Sequence, residues 1–117
     1  MTPATMFLDT VVIGYPYRHT FDLLDTDMDT GISTPRDMTG AHMELVLKLN
    51  GAVVLTLTDA NSGIVITSNL GTGIKIAMTA EQTATLKQAH YDHVLTYVDS
   101  TGFRWPYAAG KVKVIDV

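Results

Sequence analysis

The chain of 117 residues contains no cysteine. Disulfides, thiolate metal sites and cysteine nucleophiles are therefore excluded by composition alone. No segment approaches the ~20 consecutive apolar residues that a membrane-spanning helix needs. The N-terminus also lacks the charged start and the apolar run of a secretory signal. We therefore expect a protein that is made and assembled in a cytoplasm and has no membrane partner.

Basic residues are scarce, with 8 Lys and Arg against 12 Asp and Glu and a net charge of −4. The acidic excess lies in residues 1–40, which carry Asp9, Asp22, Asp25, Asp27, Asp29 and Asp37 against Arg18 and Arg36. Nucleic acids and anionic membrane surfaces attract clustered Lys and Arg, and the sequence has no such cluster. We expect no nucleic-acid partner.

The residues that usually carry catalysis are also few. Glutamate occurs only at Glu44 and Glu81, and no serine stands in a G-x-S-x-G pattern. Gly71-Thr-Gly73 lacks the Lys-Ser/Thr that completes a phosphate-binding loop. We therefore predict a protein that is not an enzyme and has no catalytic residues and no cofactor.

Two short patterns suggest metal sites and are each better explained otherwise. Asp25-Thr-Asp27-Met-Asp29 resembles the start of a calcium loop, but Thr30 and Arg36 stand where an EF-hand needs Gly and Glu. We interpret it as a solvated acidic loop. His90 and His93 are three residues apart and would point to opposite faces of a strand, so we predict no zinc site.

Alternating apolar and polar residues dominate the rest of the chain and predict strands. Asn50-Gly51 is the preferred pair for a two-residue type I′ turn, and it predicts a hairpin. Thr79 and Gln82 match a capping box and open a brief helix that we expect to end near Gln88. The inward faces of the predicted strands include Met43, Leu45, Leu47 and Leu49, then Tyr91, His93, Leu95 and Tyr97.

These elements predict an all-β protein, an immunoglobulin-like β-sandwich of about seven to eight strands with one short helical turn. We divide it into an extended N-terminal arm at 1–14 and a sandwich domain at 15–117. Asp25 to Gly40 reads as a long loop. We predict two separate strands at Phe103–Tyr107 and Lys111–Val117. One face of the first would carry Phe103, Trp105 and Tyr107. This face is either core, which we favour, or an interface anchor.

From Met43 onward the sequence resembles small structural proteins of tailed bacteriophages. The resemblance lies in spaced motifs: Ser62-Gly-Ile-Val-Ile66, Met78-Thr-Ala-Glu-Gln-Thr-Ala-Thr-Leu86, Tyr91-Asp-His-Val-Leu95, Asp99-Ser-Thr-Gly102 and Gly110-Lys-Val-Lys-Val114. Similar modules form the N-terminal domain of baseplate upper proteins, and small sandwiches of this size also decorate phage capsids. The resemblance implies a multi-copy virion component with an immunoglobulin-like fold.

We therefore expect a structural component of a tailed-phage virion, an adaptor at the tail, baseplate or fibre attachment region. A capsid decoration protein and a receptor- or carbohydrate-binding module that uses Trp105 or Tyr107 are the alternatives. Its partners would be other virion proteins or further copies of itself. The residues expected to contact partners are Met6, Phe7, Leu8, Tyr15, Tyr17, Asp25, Asp27 and Asp29. We also expect deletion of residues 1–13 to leave the domain folded but to impair assembly.

Overall fold

The structure is a computed structural model, and it describes residues 4–5, 8–66 and 73–117. In this part of the chain there are eleven strands and one helix. They are, in chain order, β1 (Ala4–Thr5), β2 (Val11–Val12), β3 (Tyr17–Phe21), β4 (Leu24–Thr26), β5 (Ser33–Pro35), β6 (His42–Leu49), β7 (Ala52–Thr58), β8 (Ile64–Val65), β9 (Ile74–Met78), α1 (Ala80–Ala84), β10 (Ala89–Val98) and β11 (Arg104–Ile115). The prediction of an all-β protein is confirmed.

The larger sheet has the order β1-β11-β10-β6-β7, and β2 pairs with β11 as well. Its central strands β6, β10 and β11 are antiparallel, with Leu95 opposite both Leu45 and Ala108. Because side chains alternate along a strand, one face of this sheet is buried. As predicted, Met43, Leu45, Leu47, Tyr91, His93, Leu95 and Tyr97 are at most 3% exposed. Leu49, also predicted to face inward, is only partly buried.

The hairpin predicted at Asn50-Gly51 joins β6 to β7. Asn50 has φ 54° and Gly51 has φ 81°, which are the positive values that a type I′ turn requires at both central positions. Leu45 faces Leu57 and Leu47 faces Leu55 across the pair. The register shifts between Leu47 and Lys48.

The smaller sheet has the order β3-β9-β8. Its inner face contributes Tyr17, Ile64, Ile74, Ile76 and Met78 to the shared core. The helix α1 then connects this sheet to β10 in the larger one. Thr79 and Gln82 form the predicted capping box, and Leu86 is buried behind the helix. The helix ends at Ala84 rather than near Gln88, because Thr85 and Leu86 already form tighter turn bonds to Gln82 and Thr83.

Two predictions about the C-terminal region are wrong. Phe103–Tyr107 and Lys111–Val117 are not separate strands, since β11 runs without a break from Arg104 to Ile115. The three aromatic residues also do not form one core face. Phe103 precedes β11 and is 63% exposed. Tyr107 is half-buried, and a register shift at Leu95/Thr96 leaves it without a partner in β10. The side chain of Trp105 lies outside the described part of the structure.

The described part of residues 1–14 is not a free arm. β1 and β2 both pair in parallel with β11, Ala4 opposite Ala108 and Val11 opposite Val114. Val11 is fully buried and Leu8 is 8% exposed. Of these residues, the described 4–5 and 8–13 therefore supply an edge of the larger sheet and part of the core, so we expect deletion of residues 1–13 to destabilise the domain instead of leaving it intact.

Candidate contact surface

The segment predicted to be a long loop, Asp25 to Gly40, contains a small two-stranded sheet. β4 and β5 are antiparallel, with Asp25 opposite Thr34, and they form a sheet of their own. One further bond, from Arg36 N–H to the Leu23 carbonyl at 2.9 Å, extends the ladder to the base. Leu23 at 0% and Met38 at 2% exposure fix the two ends of the hairpin in the core.

The turn of this hairpin is organised by Asp27. Its Oδ1 accepts hydrogen bonds from the N–H groups of Asp29 at 2.8 Å and Thr30 at 3.3 Å. Its own N–H donates to the Ile32 carbonyl, and its carbonyl accepts from Gly31 N–H at 2.7 Å. An aspartate is favoured at this position because its side chain can satisfy nearby backbone donors. The tip of the hairpin is therefore held in one conformation by its own residues.

The hairpin exposes large apolar side chains beside its carboxylates. Met28 is 92% exposed, Ile32 62% and Leu24 45%, and both β5 neighbours of the turn, Ser33 and Thr34, are exposed too. Three large exposed apolar side chains on one small element beside carboxylates make this element a candidate surface for a partner. We define the contact hairpin as residues 24–35.

Arg36 connects the contact hairpin to the domain. Its guanidinium lies 3.4 Å from Asp25 Oδ1 and 4.5 Å from the centroid of the Tyr97 ring. Tyr107 lies close by: burial raises the pKa of its hydroxyl, with Arg36 acting to lower it and Asp25 to raise it. A cation that is shared between a ring and a carboxylate restrains the base of the hairpin.

The two tyrosines predicted to contact partners differ in exposure. Tyr15 is 60% exposed and lines an apolar groove with Val12, Pro16 and Val117. Tyr17 is 5% exposed, and burial, followed by the Asp9 carboxylate, raises the pKa of its hydroxyl well above the usual value. Tyr17 therefore packs inside the domain, and only Tyr15 is accessible to another molecule.

The remaining predicted contact residues fall in different places. Asp25, Asp27 and Asp29 are exposed and lie together on the contact hairpin. Leu8 is buried in the domain's own core. Met6 and Phe7 lie outside the described residues. That any of these residues contacts a partner stays a prediction.

No group of three or more His, Cys, Asp or Glu side chains is placed to bind a metal ion within the described residues. The two histidines considered for zinc are separated by the sheet, since His90 is exposed and His93 is 1% exposed on the inner face. Among the same residues no helix is long and apolar enough to cross a membrane.

Sequence reasoning missed a second surface, at the opposite end of β10. Gln88, Ala89, His90, Lys113, Val114 and Ile115 line a shallow groove of about 170 Å³. Its residues belong to two strands that pair as Ala89 with Val114 and His90 with Lys113. Nothing in the local pattern brings these segments together, because the pairing joins residues far apart in the chain.

Sequence reasoning also missed how the exposed edge of the larger sheet is protected at β7. Asn61 donates from Nδ2 to the Thr56 carbonyl at 3.1 Å and accepts at Oδ1 from Thr58 N–H at 2.9 Å. The side-chain amide thus occupies backbone groups that a neighbouring strand would otherwise pair with. The Asn61-Ser-Gly63 turn indicated only a change of direction.

The sequence was compared with models of known protein families and with curated proteins, and neither comparison found a match.

Proposed function

We propose that this protein is a non-enzymatic structural component of a tailed-phage virion. It would act as a β-sandwich adaptor at the tail, baseplate or fibre attachment region, with the contact hairpin presented to neighbouring subunits. The motif resemblance between residues 62 and 114 supports the proposal that the protein belongs to a phage particle. The arrangement of strands and exposed residues supports the proposal that it acts there as an adaptor. A fold by itself specifies no function, so the contact surface carries the proposal.

The strand order supports an immunoglobulin-like sandwich of the variable type. In that fold one sheet has the central order G-F-C with C′ beyond it, and the other contains B, E and D. Here β11-β10-β6-β7 would be G-F-C-C′ and β3-β9-β8 would be B-E-D. The short helix α1 falls between the strands that would be E and F.

A tyrosine at the start of β10 adds local support. Tyr91 is 1% exposed, and its hydroxyl accepts from Lys87 N–H at 2.7 Å and donates to the Lys87 carbonyl at 3.0 Å. A tyrosine near the start of strand F that bonds to the backbone a few residues upstream is the tyrosine corner of immunoglobulin-like domains. The buried His93 occupies the place, two residues on, that a disulfide cysteine takes in antibody domains.

The contact hairpin is the observation that carries the proposal. Met28 and Ile32 expose apolar surface on an element whose described side chains all lie outside the core, and Asp27 fixes its turn. A preorganised element loses little conformational entropy when it binds. Such a surface is suited to permanent contact with another protein subunit.

The proposal is tested on particles from infected cells that produce this chain. Purified particles should contain the protein in several copies, and cryo-electron microscopy should place its density at the tail or fibre base. Met28→Asp should reduce the number of copies per particle, whereas Val53→Asp, at a 58% exposed site on β7, should not. Density at capsomer junctions would favour the capsid decoration alternative over the adaptor. Absence from every particle would contradict the proposal, and a glycan array would then test the receptor-binding alternative.

A further inference from the structure

We propose that copies of this chain associate head to tail, with the contact hairpin of one copy seated in the Gln88–His90/Lys113–Ile115 groove of the next. We call this groove the basal groove. The occupant is a second copy of the chain, and the interface is heterologous because the two surfaces differ. The inference goes beyond the proposed function, since it concerns the purified protein and needs no phage particle.

The two surfaces lie at opposite ends of the same strand. The contact hairpin is tied through Arg36 to Tyr97, near the end of β10. The basal groove contains Ala89 and His90, where β10 begins. A strand of 10 residues spans roughly 30 Å at about 3.3 Å per residue. Two unlike surfaces at opposite ends allow each copy to bind one neighbour at each end.

The charges of the two ends are complementary. The hairpin end carries the carboxylates of Asp22, Asp27, Asp29, Asp37 and Asp99 against the cation of Lys75, and its two arginines lie beside carboxylates in Arg36–Asp25 and Arg104–Glu44. The other end, where β10 begins, carries Lys48, Lys87, Lys111 and Lys113 against Asp92, Asp116 and Glu81 of α1, so basic residues are in slight excess there. One of these lysines, Lys111, pairs with Asp92 at 3.0 Å. Opposite charges would orient two copies end to end and disfavour hairpin-to-hairpin contact.

The basal groove also fits the hairpin in polarity. Ala89 and Ile115, both partly exposed, supply apolar walls, whereas Val114 is 1% exposed and offers little surface; the exposed His90 and Lys113 stand at the rim. A volume of about 170 Å³ is sufficient for one methionine side chain. Met28, at 92% exposure, would enter it, and the neighbouring Asp27 and Asp29 would meet Lys113 at the rim. An unbranched methionine adapts well to an irregular groove.

A heterologous contact that does not close into a ring produces open chains. Association of the purified protein should therefore increase with concentration, with no fixed stoichiometry. It should also weaken as salt is added, because the Debye length falls from about 10 Å at 0.1 M to about 3 Å at 1 M.

Sedimentation velocity of single variants and of their mixture tests the proposal. Met28→Asp removes the hairpin surface, and Lys113→Glu reverses the charge at the groove. Both sites are exposed, and circular dichroism is the check that both variants fold. We expect each variant alone to associate at least about tenfold more weakly than the wild type, a change of ~1.4 kcal/mol. In the mixture, the intact hairpin of Lys113→Glu should bind the intact groove of Met28→Asp, giving a 1:1 dimer and no larger species.

Three results would overturn the inference. They are a wild-type protein that remains monomeric at low salt and high concentration, single variants that associate as well as the wild type, and a mixture without the dimer. None of them bears on the presence of the protein in virions, which the particle experiment measures separately.

Discussion

The protein contains two β-hairpins that differ in almost every physical respect. The β6–β7 hairpin is packed, with Leu45, Leu47 and Leu57 fully buried on its inner face. The β4–β5 hairpin lies apart from both main sheets and is held by Leu23 and Met38 at its base and by Asp27 at its turn. From this difference we infer that the first hairpin supplies folding free energy, and it supports the proposal that the second supplies contact surface.

The largest expected effect on stability comes from truncating an apolar side chain in the packed β6–β7 hairpin. The same kind of truncation in the contact hairpin should have almost no effect. Leu45→Ala removes a fully buried side chain between β10 and β7, and we expect it to lower the free energy of unfolding by about 2–5 kcal/mol. Met28→Ala, at 92% exposure, should change it by less than about 0.5 kcal/mol. Urea denaturation gives both values. Equal losses in the two variants would remove the distinction between the hairpins.

The proposed tyrosine corner, formed by the Tyr91 hydroxyl, extends the comparison to a buried polar group. Tyr91→Phe deletes a hydroxyl that makes two hydrogen bonds to the Lys87 backbone and leaves those groups without their partner. We expect a loss of about 1–3 kcal/mol. The matched control, Tyr15→Phe, changes a hydroxyl on a 60% exposed ring and should be neutral. A neutral Tyr91→Phe variant would show that the corner does not stabilise the fold.

Replacing one glycine by alanine in each turn compares the turns of the two hairpins directly. Gly51 in β6–β7 has φ 81° and Gly31 in β4–β5 has φ 72°, and an added Cβ would meet nothing within 4 Å at either site. Each alanine substitution should therefore cost about 1 kcal/mol of backbone strain. Gly51→Ala should lower global stability by that amount, whereas Gly31→Ala should open only the contact hairpin and weaken association. Hydrogen exchange detects local opening of the contact hairpin, and urea denaturation measures global stability. A loss of global stability in Gly31→Ala would contradict the expectation that this change acts only locally.

Of these substitutions, Tyr17→Phe should have the smallest effect on stability at neutral pH. Burial and Asp9 raise the pKa of its hydroxyl in the folded state, so the folded protein retains a proton that the unfolded chain loses near pH 10. Its stabilising contribution is complete below that pH and is lost as the pH rises toward the folded pKa. Tyr17→Phe should therefore reduce the loss of stability above about pH 10, and Tyr15→Phe should not. Denaturation curves from pH 8 to 11.5 check this, and identical alkaline profiles for wild type and Tyr17→Phe would contradict it.

The sequence predicted the packed hairpin well because its signals are local. Asn50-Gly51 specifies a turn with two positive φ values, and the alternation of Met43, Leu45 and Leu47 specifies a buried face. The capping box of Thr79 and Gln82 was also predicted correctly. In each case the physical cause lies within a few residues of its effect.

The contact hairpin could not be predicted in the same way. A two-stranded sheet that is exposed on both faces has no apolar alternation, so residues 25–40 read as a loop. The unbroken β11 was missed because Ala108, Ala109 and Gly110 have low strand propensity, and their strand conformation comes from pairing with β10. The docking of β1 and β2 on β11 is likewise a non-local pairing. The sequence indicated that Asp25, Asp27 and Asp29 lie together on an exposed polar segment, and their contact with a partner stays a prediction; the exposed Met28 and the basal groove could not be predicted.

The most direct test of the division of roles is hydrogen–deuterium exchange of the purified protein, measured dilute and concentrated in the same low-salt buffer. The account predicts that concentration slows exchange in residues 27–32 of the contact hairpin and at residues 88–90 of the basal groove. Exchange in the centre of β6 should be slow in both samples, because it requires global unfolding. Slowing at Val53 and Val54 on the β7 edge, with none in the contact hairpin, would contradict it.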